Sequence, residues 1–142
     1  MDRSGDWKRL CALIDDDDAV WEAVEAALHA GDDAWDALIG GLDDAGALAY
    51  LQVEDTGMEL SDALIQLPRV FALQPDLDEV TDTDDLGEAT AAADRILGAA
   101  ALRVVRLLEE DDAWPIVVVP AAHADDIAGL VSAVGHEAIV GG

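Results

Sequence analysis

Lysine is almost missing from this chain. Lys8 is the only one, and arginines raise the cationic total to 7 against 32 acidic residues, a formal net charge of -25. Such a chain has no positive surface to set against phosphates, so direct binding to nucleic acid is not expected. Cysteine is equally scarce: Cys11 stands alone, which rules out an internal disulfide. Its helical spacing with Trp7, Leu10 and Ile14 places it in a core. No long apolar run exists either. The longest stretch free of charged groups, Ala113 to Ala124, contains Pro115 and Pro120 and falls short of the roughly 20 residues that a spanning helix needs. Met1 to Leu10 shows no cationic region followed by an apolar stretch, the mark of a secretory signal. The expectation is a cytoplasmic protein with no membrane contact.

The motifs that carry common chemistries are missing too. There is no G-x-S-x-G, and Ser4, Ser61 and Ser132 stand where a cap or a helix would use them. Gly40 and Gly41 lie inside a helical pattern with no lysine behind them, so no phosphate-cradling loop is formed. His29, His123 and His136 are scattered, and none has a cysteine or second histidine at metal-ligand spacing. The nearest approach to a calcium loop, Asp82 to Glu88, has Leu86 in a ligand place. We therefore expect no catalytic residue, no cofactor and no metal.

What the chain does have is apolar material, 52% of its 142 residues. That suits one domain over residues 1–142, large enough to bury about two thirds of its unfolded surface. Residues 1–46 read as helices. Ser4 caps a helix to Ile14; a second runs from Ala19 to Ala30 and stops at Gly31; a third runs from Asp33 to Ala45 and stops at Gly46. The regular spacing of Trp7, Trp21 and Trp35 follows from three amphipathic helices of similar length, without duplication.

From Ala47 the texture changes. Ala47 to Val53 reads as a strand, and Thr56 with Glu59 makes a capping box for a helix that Pro68 ends or kinks. Pro75 to Asp85 is a loop with room for one short turn, followed by a helix from Asp85 to Leu97. Leu102 to Leu108 and Ile116 to Val119 read as an antiparallel pair of strands, followed by a helix from Ala124 to Val134 and a closing strand from His136 to Val140. The fold class expected is α+β: N-terminal helices followed by a four-stranded sheet in the βαββαβ order of a split βαβ, ferredoxin-like unit over 47–140. Ile116 to Val119 is apolar at every position, so it needs cover on both faces. The N-terminal helices, or a second copy in a homodimer, would supply it.

Ala45 to Leu67 and Leu107 to Ile139 carry a strand of the type GALAYL, an acidic stretch, a leucine-rich helix and an acidic-aromatic-proline-aliphatic segment, Asp111 to Val119. In these features the chain resembles a family of small bacterial and archaeal α/β domains of unknown function. That resemblance implies a folded domain and brings no site residues with it.

One group of residues is the candidate pocket. Glu54 and Asp55 leave the first strand, Asp111 and Asp112 precede Trp114, and together with Tyr50 they would hold a cation or a basic side chain if the fold converged them. The acidity has two readings. Molar salt shortens the Debye length to about 3 Å, which makes a carboxylate coat tolerable, as in a halophile. Alternatively, the charge attracts a basic protein partner. The functional expectation is thus a non-enzymatic interaction or regulatory module. An acidic inhibitor of a basic nuclease or nucleic-acid-binding protein is the first alternative, and an enzyme with a carboxylate pair the second.

Overall fold

The computed structural model of the chain describes residues 4–15, 18–109 and 113–141. The N-terminal helices form where apolar spacing puts them: α1 (Ser4–Ile14), α2 (Asp18–Ala30) and α3 (Ala34–Asp44). Asp33 caps α3, its Oδ1 accepting the Trp35 N–H at 2.9 Å, which satisfies a donor the first helical turn cannot pair internally. Gly46 follows α3 at φ +73°, a conformation that side chains with a Cβ avoid. The Ser4 side chain, expected as the cap of α1, lies outside the described residues. The rings of Trp7 and Trp35 lie 6.4 Å apart in one core, while Trp21 is half-buried.

β1 (Ala49–Gln52) is followed by four helices: α4 (Gly57–Ile65), α5 (Pro68–Leu73), α6 (Asp78–Thr81) and α7 (Leu86–Gly98). The capping box of α4 is present, the Glu59 carboxylate accepting the Thr56 N–H at 2.8 Å. Hydrogen bonds from Thr56 hold that carboxyl below its usual range. Pro68 starts α5 as well as ending the chain segment of α4, its missing N–H being harmless in a first turn. Gly57 is fixed by close approach. Its N–H donates to Thr83 O at 2.9 Å, and a Cβ there would stand 1.8 Å from Val80 O.

β2 (Leu102–Leu107), β3 (Ala113–Pro120), α8 (Ala121–Ala133) and β4 (Ala138–Val140) complete the chain. The strands form one sheet in the order β1-β3-β2-β4, with every neighbouring pair antiparallel. The α+β class and the β2–β3 pair are as expected; the ferredoxin-like order is corrected. A split βαβ unit of this kind also has antiparallel neighbours throughout, but it sets its last strand beside its first. Here β4 lies at the far edge, against β2. The cause is α8: it starts directly at Pro120, packs on the face of the sheet that α1 covers, and returns the chain to the free side of β2.

Both faces of the sheet are covered within one chain. On one face, Val105, Leu107, Val117 and Val119 meet α1, α2, α3 and α8 in a core that includes Leu10, Cys11, Leu38 and Ile127. On the other, Val104, Trp114, Ile116 and Val118 meet α4 to α7 through Leu60, Leu64, Val80 and Leu97. Burying each such leucine contributes roughly 1.5–3 kcal/mol. The all-apolar β3 is thereby explained, and a dimer is not needed to cover it. Arg69 joins the two sides. Its Nη1 donates to Ile14 O at the end of α1 and to Val118 O of β3, both at 2.8 Å.

Candidate functional site

The sheet separates the residues singled out from the sequence. Leu51 of β1 is the register partner of Trp114, and both lie in the α4–α7 core. Tyr50, next to Leu51, therefore leaves the opposite face. It is exposed, and its hydroxyl donates to Glu109 Oε2 at 2.8 Å. Asp55 turns back to accept the Gln52 N–H at 2.8 Å, closing the end of β1. Glu54 is exposed. Asp111 and Asp112 lie outside the described residues. Tyr50, Asp55 and Trp114 thus serve three separate local environments and do not line one pocket.

Trp114 has a neighbour that the sequence reading missed. The guanidinium carbon of Arg106 lies 3.5 Å from the centroid of the Trp114 ring, the geometry of a cation–π contact. Trp114 Nε1–H donates to Thr90 Oγ1 of α7 at 3.3 Å, and Thr90 Oγ1–H donates in turn to Leu86 O at 2.7 Å. That chain of bonds fixes the ring against the first turns of α7. Arg106 Nε is buried and has no hydrogen-bond partner among the described residues. Burial pulls its pKa downward, because the charged form loses hydration. The remaining signal in sequence is slight: two arginines inside the otherwise apolar LRVVRL strand. Arg103, the other one, bonds Asp94 at 2.9 Å, and that bond raises its pKa.

The three histidines sit in three different settings. His136 stacks on Trp35 with centroids 4.4 Å apart and an interplanar angle of 5°. His123 is half-buried, with Nδ1 unpaired among the described residues. His29 is exposed. Among the described residues no group of His, Cys, Asp and Glu is arranged to hold a metal ion. No helix among them is long and apolar enough to cross a membrane. Open clefts are found among the described residues. One, of about 670 Å³, lies between α2 and α3 and is lined by Asp32, Asp33, Asp36 and alanines. Another, of about 310 Å³, runs beside β1 from Leu48 to Tyr50.

These observations define an α+β domain, a four-stranded antiparallel sheet with helices on both faces and a stacked arginine–tryptophan pair on one of them. The chain belongs to the family described as "Domain of unknown function (DUF6630)", whose model matches residues 6–141. No curated protein and no solved structure is similar to it.

Proposed function

We propose that the protein is a non-enzymatic cytoplasmic interaction module of an organism that accumulates salt, and that its acidity is a solvating coat. The observation that supports this reading is the distribution of the carboxylates. Exposed acids stand on helices of both layers, Glu25, Asp36 and Asp126 on one and Asp62, Glu79 and Glu88 on the other. A surface shaped for one basic partner would gather its charge on one side. Neutralisation from within is slight: Arg9–Asp126, Arg95–Glu79 and Arg103–Asp94 are the ion pairs among the described residues. The most exposed large apolar side chains among the described residues are Phe71 and Met58, 61% and 57% exposed.

Thermal unfolding at about 0.1 M and at multimolar KCl tests the reading. Screening of exposed charge is nearly complete by about 1 M salt. A melting temperature that keeps rising into the multimolar range supports a salt-adapted coat; a flat profile above about 0.3 M sinks it. A second reading, an acidic inhibitor of a basic nucleic-acid-binding protein, is favoured by the aspartate-lined cleft between α2 and α3. Saturable binding of a lysine-rich peptide, lost on joint Asp32→Asn and Asp36→Asn substitution, would support it.

A further inference from the structure

In a chain with 32 carboxylates, Arg106 makes no hydrogen bond or ion pair among the described residues. Ordinary packing of an acidic protein does not produce this, since a partly buried guanidinium is stabilised most by a carboxylate partner. The group is instead held flat on the Trp114 ring, which is itself bonded to Thr90. Nε is closed off, and the residue as a whole is half-buried. A cation so fixed, unpaired and only half-buried is preorganised for a ligand.

We infer that Arg106, seated on Trp114, is a binding site for a carboxylate group carried on an apolar body. The carboxylate is bound end-on by the two Nη groups, a planar match that a lysine cannot provide. Ile139 supplies the apolar contact. It is the register partner of Arg106 on β4, so it shares the same face of the sheet, and it is 39% exposed. A phosphate dianion fits worse. The site has one positive charge, and the nearby start of α7 is already occupied by acid: Asp85 Oδ1 accepts the Glu88 N–H at 2.9 Å, and Glu88 itself is exposed in that turn.

The test is a titration of the whole protein, followed by NMR at the Arg106 side-chain and Trp114 indole N–H signals, at about 0.5 M KCl to screen the general repulsion of anions. The probes are N-acetylvaline, its amide, acetate and inorganic phosphate. The expected result is saturable shifts with N-acetylvaline, weaker ones with acetate and none with the amide. Arg106→Gln should lose about tenfold or more in affinity and Arg106→Lys less than Gln. Absence of a saturable shift with N-acetylvaline in the wild-type protein overturns the proposal, whatever the variants do. So does equal binding of the amide, or tighter binding of phosphate than of any carboxylate.

Discussion

On the face covered by α1, α2, α3 and α8, the helices are 11, 13, 11 and 13 residues long. On the other face α4, α5 and α6 have 9, 6 and 4 residues, and only α7 reaches 13. Long helices carry a complete apolar stripe and form with few helpers; short ones gain too little from their own hydrogen bonds to persist alone. The second face accordingly relies on fastenings between elements: Gly57 N–H to Thr83 O, the Ser61–Thr81 hydroxyl pair at 2.8 Å and the Arg95–Glu79 ion pair. It is also the face with the buried hydroxyls, Ser61 and Thr90, the second of them bonded to Trp114. Periodicity builds one layer of this protein, and specific contacts build the other.

That contrast breaks most visibly at Gly57. Adding a methyl group there forces α4 and α6 apart, because the obstacle is backbone and cannot rotate away. Gly57→Ala is expected to destabilise the protein by roughly 3 kcal/mol or more in urea unfolding. A loss below about 1 kcal/mol would mean that the α4–α6 contact is not a fixed part of the fold. A middle-sized effect is expected at the link between the layers. Arg69→Met keeps the stem but leaves Ile14 O and Val118 O without their donor, for an expected loss of about 1–3 kcal/mol. An unchanged unfolding midpoint would show that the two faces do not depend on this side chain.

The effect expected on the long-helix face is absent at neutral pH and appears only in alkali. Burial pushes the Cys11 thiol from 9.0 up to about 12. The folded state therefore keeps its proton where the unfolded chain has lost it. Stability from this group is intact below pH 9 and falls as the pH rises toward 12, by about 1 kcal/mol per pH unit. Urea midpoints measured across that window should fall more steeply for the wild type than for Cys11→Ala. Equal slopes would place the thiol in contact with water.

Several local features of both layers were readable in the chain itself. Trp7, Leu10, Cys11 and Ile14 fall on one helical face, Asp33 is a side chain that caps, and Thr56 with Glu59 is a box, all decided within a few residues. The antiparallel pairing of Leu102–Leu107 with Ala113–Pro120 was readable for the same reason, since a short connection leaves little choice. The sheet order was not. Whether β4 returns beside β1 or beside β2 depends on which face α8 covers, and α8 presents the same apolar residues to either. A single register separates two members of the candidate pocket: once Leu51 pairs with Trp114, Tyr50 is committed to the other face. Arg106 illustrates the limit best. Its sequence neighbours mark only a strand, while its stack on Trp114 joins residues on two strands and is held by a helix. Local steric and hydrogen-bonding preferences act over a turn or two of chain and so determined the elements. Their faces, order and unpaired charge were decided by long-range packing, which alone determines which groups meet and which are left without a partner.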